Sequence, residues 1–213
     1  MSDVQPPPSV RRTRRKDARP REIRAAALAL FAARGFAATR LEDVARQAGI
    51  SKGTIYLYYP TKEELFRAVV RQDLLPNLEA MEALAAAHRG SAAALLREVL
   101  AGMLARLDAD VAVIPKLVLT EAGNFPSLAR FYAEEVAARG RRLIAEILAR
   151  GVARGEFRPL DIPAVVPLVV APILLLMLWR RSLGPHAAVP LDPEAVLAAH
   201  LDVLLRGLAA DPS

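Results

Sequence analysis

Three of the chain's four tyrosines, Tyr56, Tyr58 and Tyr59, lie within four positions of one another, between Lys52 and Lys62. Tyrosine hydroxyls on rigid rings and lysine ammonium groups are donors suited to phosphate oxygens. Because only 5% of the chain is aromatic, a packed core would be expected to spread these rings along the sequence. The segment therefore indicates a surface that grips a polyanion. The alternative is a protein interface, where exposed tyrosines also occur.

Other chemistries find little support in the residue types. The chain has no cysteine, which excludes disulfides, thiolate metal sites and cysteine nucleophiles. The three histidines, His88, His186 and His200, lack the spacing of metal ligands. Neither a Gly-x-Ser-x-Gly nucleophile elbow nor a phosphate-binding loop is present. We therefore predict no catalytic residue, no metal and no cofactor.

Positive charge is concentrated in the first third of the chain. Residues 1–71 hold 15 Lys+Arg and 7 Asp+Glu, whereas the remaining 142 residues hold 14 and 16. A basic head on a near-neutral body indicates contact with a polyanion. Residues 1–19 carry three prolines and a basic run without the apolar stretch of a secretory signal. They are predicted to form a disordered arm that either follows phosphates or a minor groove, or is only a solvated tail.

Short helices with marked ends must position the tyrosine segment. Apolar spacing and end signals predict three of them, over 20–34, 39–48 and 51–58. Gly35 and Gly49 are placed to end the first two, and Pro60 breaks the third. Thr39 and Glu42 form a capping box, in which the Thr39 hydroxyl accepts from the Glu42 amide. Two helices joined by a tight turn and flanked by a helix on each side form a helix-turn-helix.

The helix over 51–58 has an inner and an outer face. Ile55 and Tyr59 share the face that packs on the preceding helices. In a helix-turn-helix the exposed face of the second helix enters the major groove of DNA. Lys52 can donate to guanine acceptors there, and Thr54 can form a hydrogen bond or place its methyl group against thymine. The predicted DNA-binding residues are Thr39, Arg40, Ser51, Lys52, Gly53, Thr54, Tyr56, Tyr58 and Lys62.

The run "TRLEDVARQAGISKGTIYLYYPTKEELF" (39–66) resembles the DNA-binding signature of the TetR/AcrR family of transcriptional regulators. The match covers the Thr, the acidic-aliphatic-Ala core, Ala-Gly-aliphatic-Ser, Gly-Thr-aliphatic-Tyr, the aromatic pair and Lys-Glu-x-Leu. Its departure is Tyr59, where Phe is usual. The resemblance implies a homodimeric DNA-binding regulator without enzymatic activity. A repressor is preferred over an activator, and the expected location is the cytoplasm.

The predicted fold is all-α, with an N-terminal three-helix helix-turn-helix domain over 20–66 and a larger helical ligand-binding and dimerisation domain over 67–213. About nine helices are expected in total. A capping box at Thr61 and Glu64 opens the fourth, and Pro76 is expected to kink it. The longer helices are predicted over 62–88, 91–108, 110–123, 126–153, 162–183 and 192–209.

The segment 162–179 carries no charge, so it fits a buried core helix, an oligomer helix or a membrane span. The resemblance implies dimerisation through the last two helices, which would cover this segment. No membrane partner is therefore expected. Two heads on a two-fold axis would read a palindromic operator in double-stranded DNA. The candidate dimer residues are Val165, Val169, Ile173, Leu176, Val196, His200, Val203 and Leu204.

The resemblance further implies that the larger domain binds a small molecule. Aromatic, flexible or polar residues on otherwise apolar helices predict a small hydrophobic effector that releases the operator. The candidates are Met103, Leu107, Glu121, Asn124, Phe125, Phe131, Tyr132 and Trp179. Two alternatives are a small helical enzyme and a membrane-associated binding protein for a hydrophobic molecule.

Overall fold

The computed structural model describes the backbone of residues 9–210 and the side chains of residues 19–210. The chain divides into two compact units, Met1–Val70 and Arg71–Ser213. The helices of the first unit are α1 (Ser9–Ala38), α2 (Leu41–Gln47), α3 (Lys52–Tyr58) and α4 (Lys62–Val69). Those of the second are α5 (Leu75–Ala87), α6 (Ala92–Leu104), α7 (Ile114–Glu121), α8 (Pro126–Tyr132), α9 (Ala138–Ala153), α10 (Ile162–Arg180) and α11 (Pro193–Leu208).

The all-α prediction is confirmed, because no strand occurs within residues 9–210. Short π-helical segments, Val70–Leu74 and Ala133–Ala137, directly precede α5 and α9. If each π segment joins its two neighbours into one helix, the described residues contain nine helices, as predicted. The first π segment ends just before Pro76, which has no N–H to donate to a carbonyl in the preceding turn. At the kink expected near Pro76, the structure therefore changes from a π-helix to an α-helix.

Three phenylalanines form the centre of the first unit. Phe31, Phe36 and Phe66 are fully buried, with ring centroids 5.3 to 6.2 Å apart. Phe31 lies on the regular part of α1, Phe36 follows the kink at Gly35, and Phe66 lies on α4. Tilted and edge-on ring pairs at this spacing are favourable beyond their area burial. This cluster fixes the frame on which α2 and α3 are presented.

The glycines predicted to end helices do so. Gly35 (φ 81°) interrupts α1, and Gly49 (φ 66°) follows α2 in the left-handed region that glycine enters without strain. At the start of α4, the Thr61 hydroxyl accepts from the Glu64 amide at 3.1 Å, as the second capping box predicts.

The capping box predicted at Thr39 is wrong. The N-cap of α2 is Arg40, which makes no side-chain cap bond, and the Thr39 hydroxyl donates instead to the Gly35 carbonyl at 2.8 Å. Thr39 is only 1% exposed. A buried hydroxyl must find a partner, and the carbonyl four residues back satisfies it.

The first helix also differs from its predicted range. Residues 1–8 of the predicted arm lie outside the described residues, whereas α1 begins at Ser9 and runs through Pro20. Arg, Lys and Ala dominate this stretch and are good helix formers, so the backbone continues as a helix past the single hydrogen bond that Pro20 removes.

The second unit has its own apolar core, formed mainly by α6, α9, α10 and α11. Leu95 and Leu96 on α6 and Ile147 and Leu148 on α9 are fully buried in it. The Asp192 carboxylate caps α11 by accepting from the Glu194 and Ala195 amides at 3.0 and 3.3 Å.

Two glycines on α9 give a matched test of this packing. A Cβ at Gly151 would lie 2.1 Å from Cδ2 of the buried Phe157, whereas a Cβ at Gly140 would meet nothing within 4 Å. Gly151→Ala is expected to destabilise the protein by about 1–3 kcal/mol through overpacking. Gly140→Ala is expected to stabilise it by up to about 1 kcal/mol through helix propensity. Thermal unfolding of both variants checks this, and the same sign for both would contradict it.

Candidate nucleic-acid interface

Helix α3 is held by one face and exposes the other. Ile55 is fully buried and Tyr59, the C-cap, is nearly so, as their spacing predicts. At the N-cap, Ser51 Oγ accepts from the Thr54 amide at 3.2 Å and lies 2.8 Å from Thr54 Oγ1. The first turn of α3 is therefore fixed by its own side chains.

The outer face of α3 consists of four exposed residues, Lys52, Gly53, Tyr56 and Leu57. They occupy adjacent turns of one side, because positions 52 and 56, like 53 and 57, lie four apart. We call this set the α3 outer face. The face combines a lysine ammonium, a glycine, a tyrosine hydroxyl and an apolar leucine side chain. Such groups are suited to contact the base edges of a major groove and the phosphates beside it.

A carboxylate on α2 joins two members of this face. Glu42 Oε1 lies 3.0 Å from Lys52 Nζ and accepts a hydrogen bond of 3.0 Å from the Tyr56 hydroxyl. The Lys52 hydrogen bond, the residue's own backbone amide and Tyr56 lower the pKa of Glu42 from 4.5 to about 2. The same contacts raise the pKa of Lys52 and of Tyr56, in each case chiefly through the hydrogen bond to Glu42.

Lys62 has an internal role that its sequence position did not suggest. Its ammonium donates to the carbonyls of Phe36 and Ala37 at 2.6 and 3.2 Å and lies 4.4 Å from the centroid of the Phe36 ring. These carbonyls end α1, where a cation is favourable. Lys62 thus joins α4 to the end of α1, and the DNA contact that the sequence predicts for it stays a prediction.

Lys62→Met is expected to destabilise the protein by about 1–3 kcal/mol, because two carbonyls lose a charged donor. Lys52→Met is the matched control, since Lys52 pairs with the Glu42 carboxylate at the surface and loss of this pair should barely change the melting temperature. Thermal unfolding of both variants makes the comparison. An unchanged melting temperature for Lys62→Met would contradict the internal role.

The other predicted DNA-binding residues differ in how far their side chains are exposed. Arg40 and Ser51 are exposed and Tyr58 is half-buried, so each reaches the surface near α3. Thr39 does not, because its side chain is buried and its backbone amide donates to the Phe36 carbonyl at 3.3 Å. The Thr39 side chain is therefore not exposed for the DNA contact that the sequence predicts.

Sequence reasoning missed two residues of this surface. Leu57 is 86% exposed on α3, although a leucine in a short apolar-polar run is usually assigned to the core. Its place one residue after Tyr56, off the Ile55–Tyr59 face, is the signal that could have found it. The sequence predicts only a capping role for Glu42, because its contact with α3 depends on the turn between the two helices.

Comparison with known proteins identifies this arrangement. The sequence profile of "Bacterial regulatory proteins, tetR family" matches residues 23–69, and that of "Tetracyclin repressor-like, C-terminal domain" matches residues 86–192, half of the chain. The chain belongs to the TetR family. It is a transcriptional regulator with an N-terminal helix-turn-helix, and the matches point to a regulator rather than to an enzyme.

Three relatives illustrate the match. The uncharacterised regulator YfiR of Bacillus subtilis is 30% identical over 149 residues, 68% of this chain and 71% of YfiR. The repressor KstR2 of Mycobacterium tuberculosis is 28% identical over 197 residues, 89% of this chain and 92% of KstR2. The structure of KstR2, a ketosteroid transcriptional regulator, has a TM-score of 0.71 at 26% identity and covers 91% of this chain and 96% of its own. Bacillus subtilis FadR in complex with stearoyl-CoA shares the fold, with a TM-score of 0.69 at 22% identity over 88% and 98% of the two chains.

The effector candidates of this TetR-family chain lie in different surroundings. Leu107 and Phe131 are buried, Met103 packs against the core, and Asn124 donates to Glu121 Oε2 at 3.4 Å. Burial raises the pKa of Tyr132 to about 12. A cavity of about 170 Å³ lies between the end of α10 and the start of α11, and of the eight candidates only Trp179 lines it. Its size is below the ~300–1,000 Å³ of typical ligand pockets.

The dimer candidates on α10 must be corrected. Val169, Ile173 and Leu176 lie in the core of their own chain and are not available to a partner. His200 Nε2 lies 2.9 Å from the Val169 carbonyl, so it too contacts its own chain. A helix that is apolar all round offers no periodicity from which the inner face can be chosen.

The outward side of α10 is also apolar. Leu168 and Leu175 are 63% and 56% exposed, and on α11 Val203 is 73% exposed. By length and composition the helix Ile162–Arg180 could cross a membrane, and only 22% of its most apolar 18-residue window is buried. We call Leu168, Leu175 and Val203 the α10–α11 apolar surface.

Proposed function

We propose that the protein is a ligand-responsive transcriptional repressor that binds a palindromic operator as a homodimer and is released by a small hydrophobic effector. The observation that carries the proposal is the α3 outer face, presented by the second helix of a helix-turn-helix. Lys52 and Leu57 meet base edges, and Tyr58 and Arg40 meet the DNA backbone, whereas the Tyr56 hydroxyl stays bound to Glu42 beside them. Operator binding implies a cytoplasmic location.

The homodimer is supported by the α10–α11 apolar surface. Leu168 and Leu175 lie two helical turns apart and therefore on one side of α10. Exposed leucines repeated along a helix are covered when a second copy packs against them on a two-fold axis. The partner residues proposed are accordingly Leu168, Leu175 and Val203, together with the half-buried Val165, Val196 and Leu204.

The effector proposal is supported by composition and by one relative. The core of the second unit is apolar, with few polar groups available to fix a ligand. KstR2, 28% identical over most of its length, is described as a ketosteroid transcriptional regulator, which is consistent with an apolar effector. The effector acts only through a difference in affinity between DNA-competent and DNA-incompetent conformations.

The proposed domains follow the predicted boundaries, with the helix-turn-helix over 20–66 and the ligand-binding and dimerisation domain over 67–213. The two compact units, which meet between Val70 and Arg71, and the two family profiles support this division. A membrane-associated binding protein is the second candidate, favoured by α10 alone. Recovery of the protein only with detergent would select it.

The experiment is fluorescence anisotropy with DNA from immediately upstream of the protein's own gene and a scrambled duplex of equal length, at two salt concentrations. Tight binding to the upstream duplex, weak binding to the scrambled one and a steep salt dependence are expected. Equal, weak binding to every upstream duplex tested would contradict operator recognition.

A further inference from the structure

One oxygen of Glu42 serves two donors of the α3 outer face. Oε1 lies 3.0 Å from Lys52 Nζ and 3.0 Å from the Tyr56 hydroxyl. Lys52 and Tyr56 lie four apart on α3, whereas Glu42 reaches them from α2. All three side chains are at the surface, so the cluster stands where DNA must approach.

The contact changes what each donor can offer to DNA. A tyrosine hydroxyl has one proton, and Tyr56 gives it to Glu42. It cannot donate to a phosphate unless that bond is broken. An ammonium has three N–H donors, so Lys52 keeps two while Glu42 holds it. Lys52 can therefore stay paired and still donate to the two acceptors of a guanine edge.

We propose that Glu42 determines sequence discrimination, by holding Lys52 in a base-reading position and by competing with DNA phosphates for Lys52 and Tyr56. The inference rests on the proposed DNA-binding function. On the correct site the Glu42 hydrogen bonds persist and Lys52 reads bases. On other sequences, phosphates bind Lys52 and Tyr56 only by displacing a carboxylate, so binding there is weakened.

The neighbouring residue provides a matched control. Asp43 lies on the same helix and pairs with Arg46 at 2.8 Å and with Arg34 at 3.8 Å. Neither arginine is on α3. Asp43→Asn therefore removes the same charge from α2 and also releases cations, but leaves Lys52 and Tyr56 with their partner.

The test measures dissociation constants for the operator and for a scrambled duplex with wild type, Glu42→Gln and Asp43→Asn. Both variants are expected to bind DNA more tightly overall, because each loses one negative charge near the phosphates. Only Glu42→Gln is expected to lower the operator-to-scrambled affinity ratio, by about fivefold or more, the lower limit of one base contact. Its salt slope on the scrambled duplex is expected to steepen by about 0.9 for each further phosphate that a released cation neutralises. Equal ratios for the two variants would overturn the proposal.

A second measurement needs no DNA. Titration of the Glu42 carboxyl by NMR is expected to give a pKa of about 2 in the wild type and a value closer to 4.5 in Lys52→Met. A wild-type pKa of 4.5 for Glu42 would show that the contact is not made and would overturn the proposal, whereas operator binding would not be affected by this result. A wild type that does not discriminate between the duplexes would overturn the proposed function and this inference with it.

Discussion

Replacing Leu175 by glutamate is expected to convert the protein to a monomer and to lower operator affinity about 10²–10⁴-fold, the advantage that linking two binding heads provides. Leu175 is 56% exposed on an otherwise apolar helix. A carboxylate there would have to be buried without a partner if a second copy packed against it, so the dimer is destabilised. Sedimentation velocity and anisotropy with the operator measure the two effects.

Leu119→Glu is the control for this change. Leu119 is also an exposed leucine, 64% accessible, but it lies on α7 and outside the α10–α11 apolar surface. The same substitution there is expected to leave the protein dimeric and its operator affinity unchanged. If Leu175→Glu remained a dimer with wild-type affinity, the proposed interface would be wrong.

Phe66→Ala is expected to lower the free energy of unfolding by about 3–5 kcal/mol. Phe66 is fully buried between Phe31 and Phe36, with ring centroids 6.2 and 5.7 Å away, so its removal leaves a cavity at the centre of the first unit. A loss of this size is a large part of the ~5–15 kcal/mol that holds a typical domain folded. Operator binding is expected to fail at temperatures where the wild type still binds.

Leu57→Ala separates stability from recognition. Leu57 belongs to the same unit and is 86% exposed, so its truncation is expected to change the free energy of unfolding by less than about 0.5 kcal/mol. Its operator affinity should nevertheless fall, because Leu57 belongs to the α3 outer face. Chemical denaturation of Leu57→Ala and Phe66→Ala makes the comparison. Equal losses in the free energy of unfolding would contradict the assignment of Phe66 to the core of the first unit.

Local signals were enough to predict α3 and its orientation. Ser51 caps the helix, Gly49 precedes it and Pro60 follows it, and each acts through its own backbone or the next turn. The burial of Ile55 and Tyr59 follows from helical spacing alone. Such features need no knowledge of the rest of the fold.

Contacts across turns could not be predicted in the same way. Glu42 meets Tyr56 14 residues away, and Lys62 meets the Phe36 carbonyl 26 residues away. The first contact depends on how α2 packs against α3 and the second on how α4 packs against α1, which spacing within one helix does not specify. The error at Thr39 has the same origin, because its side chain is buried by packing and its hydroxyl turns to the Gly35 carbonyl.

The outward face of helix α10 could not be predicted from the sequence for a different reason. Each side of it is apolar, so the sequence could not show that Val169, Ile173 and Leu176, which were expected at the dimer interface, form the chain's own core. Only the packed structure distinguishes them from Leu168 and Leu175. For a helix without a polar stripe, the face left for a partner becomes visible only after the monomer is folded.

Two copies of α3, one from each protomer, are proposed to read one palindrome. Selection of bound duplexes from a randomised pool by the purified full-length protein tests this proposal most directly. Enrichment of an inverted repeat whose half-sites are centred about one helical turn, ~10 base pairs, apart is expected. Enrichment of a single unrepeated motif, or of no motif, would contradict it.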